Sequence, residues 1–272
     1  MIGSDIIKNL RIKIKNIFKL IRKPEMRVLP GNLAFFFMLS LLPMLSFAVL
    51  IGSFFSISLE TIVSSIEGML PEMVSNVIID IINGKGFTTE TGLFTIFGLF
   101  IASNGMYSVI NVSNVLYEVE NSDPLKDRIK SIIMLVLIIF LFIFLLIVPI
   151  FGEQLLTLIK NNNILKHISN ELILFFNIIK WPLSFLIIYF NIKVIYTLSP
   201  SKKIKSKTTT SGSLFTTCFW IIATLIFSIY LNNFARYDIL YGNLSNIIIL
   251  MVWLYLLAYI FVLGMAVNTT KD

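Results

Sequence analysis

The sequence predicts an all-α polytopic membrane protein. It comprises six transmembrane helices, an N-terminal amphipathic helix and an external amphipathic helix pair. Three observations predict this. The 272 residues are 57% hydrophobic and only 14% charged, whereas soluble domains carry about 25% charged residues. Mean hydropathy is +0.88, which leaves too few solvating groups to cover a water-soluble globule. Finally, long uncharged runs alternate with loops whose bases are segregated by side.

A hydrocarbon core of about 30 Å takes about 20 apolar residues in a helix. The uncharged runs Val28–Leu59, Thr91–Tyr117, Ser131–Gly152, Thr208–Ala235 and Ile239–Thr270 meet that length. They place helices at about 32–56, 92–116, 131–152, 212–233 and 245–267. Leu172–Leu198 is equally apolar but contains Lys180 and Lys193; it gives the remaining helix, the fourth in chain order, at about 172–197.

The distribution of Lys and Arg tests the count. Sixteen bases fall before helix 1, after helices 2 and 4, and at the C-terminus; four (Lys85, Lys160, Lys166 and Arg236) fall in the other loops. By the positive-inside rule both termini are cytoplasmic. Without the fourth helix, the cluster from Lys202 to Lys207 would face outward. The net charge of +7 is thereby a topology signal and not a nucleic-acid footprint.

The domain organisation follows. Residues 1–30 are a cytoplasmic basic amphipathic segment, with Ile6, Leu10, Ile14, Ile17 and Ile21 on one face and Lys8, Arg11, Lys15 and Lys19 mostly around the other. This pattern suits an anionic leaflet or the cytoplasmic ends of the bundle. Residues 31–268 form the membrane domain, and 269–272 a cytoplasmic tail. Within the membrane domain, residues 57–91 read as two short amphipathic helices meeting at Pro71. They lie on the outer surface or fold back as a re-entrant hairpin.

Cys218 and His167 are each the only residue of their type. No zinc grouping, nucleophile–base pair, Walker A or GxGxxG pattern is present, so no cofactor, metal site or catalytic residue is expected. Polar residues within the membrane are costly and usually face the bundle interior. Asn104, Ser108 and Asn111 in helix 2 share helical spacing, as do Asn177, Lys180, Ser184 and Asn191 in helix 4. Helix 5 adds Thr224 and Ser228. Three such stripes suggest a polar cavity for a head group; the competing reading is hydrogen bonding between helices. Lys180, just before Trp181 and Pro182, either attracts an anionic group or snorkels outward. Lys193 lies near the cytoplasmic end and snorkels. Pro43, Pro149 and Pro182 interrupt membrane runs and are candidate hinges.

The run Gly31-Asn32-Leu33-Ala34-Phe35-Phe36, then Leu39-Ser40-Leu41-Leu42-Pro43, resembles the first helix of the YihY/BrkB family of bacterial membrane proteins. Asn104-Gly105, Ile110-Asn111 and Leu116-Tyr117 resemble its second helix. Tyr241-Gly242, Trp253-Leu254-Tyr255 and the ending Gly264-Met265-Ala266-Val267-Asn268 resemble its last. The usual family ending is closer to Gly-Ala-Glu-Leu-Asn, so the common carboxylate is missing here. The resemblance covers about residues 25–268 and implies a six-helix protein of the bacterial inner membrane. The family's old ribonuclease label finds no support in these residues, because a metal-dependent nuclease needs clustered carboxylates or histidines.

The expected function is to handle or transport an amphipathic, anionic envelope molecule such as a lipid. The alternative is a structural or scaffold membrane protein of the envelope without transport activity. Membrane lipids are the expected partners, with a protein partner or a second copy also open, and nucleic acid is not expected.

Overall fold

The computed structural model describes residues 21–22, 24–54, 91–139, 169–233 and 245–269. Most of the N-terminal amphipathic segment, the external segment 57–90 and Pro149 lie outside the described residues. All regular structure among the described residues is helical: α1 (Glu25–Phe54), α2 (Thr91–Leu116), α3 (124–139), α4 (Ser169–Leu198), α5 (Thr210–Asn233) and α6 (Ser245–Thr269).

The helix bounds follow the apolar runs, with two differences. α1 begins at Glu25 instead of about 32; its first turn is closed by the Arg27 N–H donating to the Pro24 carbonyl at 3.0 Å. α3 begins at 124 instead of 131, so Lys126, Asp127, Arg128 and Lys130 are helical. The reason is local. Asp123 Oδ1 accepts from the Leu125 N–H at 3.1 Å, and Pro124 occupies the first helical position, where its missing N–H costs nothing.

α1 packs along α2, α6 packs against both α1 and α5, and α4 packs on α5. α6 is the axis of this arrangement. From Leu257 to Ala266 every residue except Tyr259 is buried. α5 is different: Leu214, Phe219, Ile222, Leu225, Ile226 and Ile229 are exposed along its length. Such a row of bare apolar side chains is rare on a soluble monomer and is what hydrocarbon solvates. Two helical stretches, Thr210–Leu231 and Ser245–Thr269, are each long and apolar enough to cross a membrane.

The core joins Leu33 of α1, Val109 and Ile110 of α2, Met134 and Leu135 of α3, Ile192 and Tyr196 of α4, and Phe261 and Val262 of α6. α5 and α6 approach most closely at a pair of glycines. A Cβ added at Gly212 would overlap the Gly264 carbonyl oxygen, and one at Gly264 would overlap Thr216 Oγ1. Small residues at a helix crossing let backbones meet, which is how membrane helices gain packing without a hydrophobic drive.

Candidate functional site

The C-terminal ends of α2 and α4 and the N-terminal ends of α3 and α5 gather at one end of the bundle. α2 closes with Glu118 in the left-handed region (φ 52), while the Val119 N–H donates to the Asn114 carbonyl at 2.9 Å. This is a helix-terminating turn that glycine usually supplies. The chain then reverses through 119–123 into α3. α4 is stopped at Ser199-Pro200, because Pro200 lacks the donor to continue it. These two stops bring Asn114, Asp127 and Ser201 together.

Asp127 is almost fully buried (4% exposed), and its carboxylate is hydrogen-bonded on both oxygens. Ser201 Oγ donates to Oδ1 at 2.6 Å and Asn114 Nδ2 donates to Oδ2 at 3.2 Å. Asn114 also accepts from the Ser201 N–H at 2.8 Å and donates to Ser201 Oγ at 2.9 Å. Lys130 Nζ donates to the carbonyls of Ser199 and Pro200 at 3.0 and 2.7 Å. Partial burial pushes the Lys130 ammonium below its usual range, and the charge of Asp127 opposes that shift. Lys202 Nζ donates to the Tyr117 carbonyl at 2.8 Å. The two links are thus tied to each other by bonds that each need both partners, and the polar atoms buried there are satisfied by one another.

Arg128, one residue further on, reaches in another direction. Nη1 donates to Asn104 Oδ1 at 2.7 Å and Nη2 to the Phe100 carbonyl at 3.1 Å. The guanidinium lies 4.0 Å from the centre of the Phe100 ring and 5.8 Å from that of Tyr107. Asn104 precedes the end of α2 by twelve residues, about 18 Å along a helix at 1.5 Å per residue. The cation is therefore carried well down the apolar length of α2. Among the described residues no carboxylate pairs with it; the ion pair found there is Lys126–Asp123, 3.2 Å apart at the surface.

The polar stripes take different places. Asn104 is half-buried and bound to Arg128, Ser108 is buried, and Asn111 is exposed. Ser184, Asn191, Thr224 and Ser228 are half-buried. Among the described residues no hydrogen bond joins one of these stripes to another. Pro182 is exposed within α4. Asn177 and Lys180 belong to α4, and Pro43 to α1, but their side chains lie outside the described residues.

Other residues do the joining. Tyr196 of α4, fully buried, donates to the Phe261 carbonyl of α6 at 2.6 Å and meets Thr216 Oγ1 of α5 at 2.7 Å. Asn268 Oδ1 accepts from the Gly212 N–H at 2.7 Å, which brings the end of α6 to the start of α5. Among the described residues no group of His, Cys, Asp and Glu is placed to hold a metal ion.

Arg128, Asp127 and Ser201 escaped the sequence reading, which treated them as loop residues. The pair Asp123-Pro124 was the available signal, since a capping residue followed by proline marks a helix start.

Comparison with known proteins completes the description. The family description Virulence factor BrkB matches residues 17–272. The ribonuclease-like protein YfkH of Bacillus subtilis (strain 168) is 29% identical over 260 residues, 94% of this chain and 93% of that protein. A UPF0761 membrane protein of Coxiella burnetii is 37% identical over 101 residues, 34% of this chain and 36% of that protein. The UPF0761 membrane protein PSHAa0171 of Pseudoalteromonas translucida is 32% identical over 71 residues, 26% of this chain and 24% of that protein. No solved structure matches.

Proposed function

Because the chain belongs to the BrkB family of membrane proteins, we propose that it handles or transports an amphipathic, anionic envelope molecule such as a lipid. In this reading it crosses the bacterial cytoplasmic membrane six times, has both termini in the cytoplasm, and is not an enzyme.

The observation that carries the reading is Arg128. A guanidinium along a membrane helix is costly unless something negative or polar receives it. Here the Phe100 ring and Asn104 hold it in place. Among the described residues its charge is not neutralised. Contact with an aromatic face is worth about 0.5–2 kcal/mol, which positions the group without cancelling its charge. A planar fork so held fits a phosphate or carboxylate oxygen pair. The apolar tails of the same molecule would be solvated by the hydrocarbon. Lys180, in the apolar run of α4, is the second cation assigned to this task.

Transfer of fluorescent phosphatidylglycerol between the leaflets of liposomes holding the purified protein tests the proposal. Arg128→Gln is expected to slow transfer about tenfold, equivalent to about 1.4 kcal/mol. Arg128→Lys, which keeps the charge and loses the fork, is expected to fall between. Lys180→Met is expected to slow transfer with the protein still inserted. Unchanged transfer by Arg128→Gln, or equal transfer of a zwitterionic lipid, would overturn it. The scaffold reading draws on the interlocked links of α2–α3 and α4–α5, whose mutual bonds suit a fixed platform. It predicts no transfer and stable co-purification of a protein partner.

A further inference from the structure

A second cationic feature lies apart from Arg128, on the C-terminal half of α4. Phe190, Lys193, Val194, Thr197 and Leu198 line an open groove of about 250 Å³, with Ser206 of the α4–α5 link at its rim. Its walls are apolar, from Phe190, Val194 and Leu198, and its polar groups are few. Thr197 Oγ1 is already engaged, donating to the Lys193 carbonyl at 2.7 Å and meeting Thr209 Oγ1 at 3.0 Å. Lys193 Nζ stands 5.7 Å from the centre of the Tyr189 ring. Among the described residues it has no ion-pair partner.

The segment of chain that lines the groove carries charge of one sign. Between Glu171 and Asp238 the sequence contains no acid, yet it holds seven bases, of which Lys193, Lys202, Lys203, Lys205 and Lys207 lie on the groove or its link. Lys203, Lys205 and Lys207 are exposed on the link beside the groove, and Lys202 is tied to Tyr117. A solvated loop needs no apolar trough, and a trough that only filled with hydrocarbon needs no cations. The combination fits a ligand with an anionic head and an apolar tail. A free phosphate would satisfy the lysines and leave Phe190, Val194 and Leu198 without a role.

We propose that this groove is a docking site for an anionic phospholipid of the adjoining leaflet. The head group lies by Lys193 and the α4–α5 link, and one acyl chain lies along Phe190, Val194 and Leu198. Basic residues at such a surface attract anionic head groups over neutral ones. The site would thus hold its lipid selectively, as a resident ligand. It is independent of the transfer assigned to Arg128, and its test separates the two.

The test is native mass spectrometry of the full-length protein in neutral detergent, titrated with phosphatidylglycerol or phosphatidylcholine. The wild type is expected to retain one phosphatidylglycerol in preference to phosphatidylcholine. Lys193→Gln is expected to weaken that adduct about fivefold. Val194→Trp, which fills the trough and leaves every charge in place, is expected to weaken it as well. Arg128→Gln is expected to leave it unchanged, so failure of the transfer proposal and failure of this one give different results. Undiminished retention by both groove variants would overturn the proposal. So would full displacement of the lipid by inorganic phosphate, since the head alone would then be the ligand.

Discussion

A single backbone angle shapes the end of α2. Glu118 sits in the left-handed region, where a Cβ costs roughly 1–2 kcal/mol and glycine costs nothing of the kind. The turn is required all the same, because it aims 119–123 toward α3 and sets Asn114 against Asp127 and Ser201. Glu118→Gly is therefore expected to raise stability by up to about 1 kcal/mol, and Glu118→Val to lower it. The measurement is the midpoint of thermal unfolding in detergent. Identical midpoints for all three proteins would show that the left-handed turn is not held in solution. Polar residues were only partly legible at this scale. The spacing of Asn104, Ser108 and Asn111 was read as one face, but spacing along α2 does not say what lies opposite. Arg128 arrives from α3 to bind Asn104, Ser108 is buried, and Asn111 is exposed. Which partner arrives is decided by tertiary packing, to which hydropathy and period are blind.

Helix pairs show the opposite balance. The apolar runs gave α2, α4, α5 and α6 to within about three residues at each end, because a long uncharged run without a breaker continues as helix until a charge or a turn residue stops it. Charge misled at two helix starts: Glu25 and Arg27 lie in the first turn of α1, and the basic residues 126–130, expected as a loop, form the first turns of α3. Which faces meet was not legible, since α5 and α6 join through Gly212 and Gly264 and not through a polar stripe. That crossing makes a prediction. A Cβ at Gly264 would overlap Thr216 Oγ1 and lie 2.7 Å from Tyr196 OH and 2.9 Å from the Gly212 carbonyl oxygen. The helices must separate or Tyr196 must leave its bond to Phe261, so Gly264→Ala is expected to cost about 1–3 kcal/mol. Gly31→Ala is the control, because its Cβ would meet only Tyr255 at 3.9 Å, ordinary contact. Urea or SDS unfolding of the two variants checks this. Equal stability would mean that α5 and α6 do not cross at their glycines.

For the whole molecule, one end of the bundle carries a consistent set of termini. Asn114 near the end of α2, Lys130 near the start of α3, Ser199 after α4, Gly212 near the start of α5 and Asn268 near the end of α6 are joined there in a chain of contacts. Thr197 and Thr209 provide the step from α4 to α5. Even-numbered helices end where the following odd-numbered helices begin, as expected of a chain that crosses and returns. The basic clusters 126–130 and 202–207 both fall at this end. The positive-inside rule assigns such an end to the cytoplasm, although the two clusters lie some 75 residues apart in sequence and were assigned independently of any contact. Single cysteines at Ser122 and Lys205, in a Cys218→Ser background, test the assignment. Both are exposed, so a membrane-impermeant maleimide is expected to label neither in intact cells and both after the membrane is opened. Labelling of both in intact cells would invert the orientation and move the proposed phospholipid groove to the outer leaflet. Labelling of only one would contradict the bonds between Asn114 and Ser201, which require the two links to share a side.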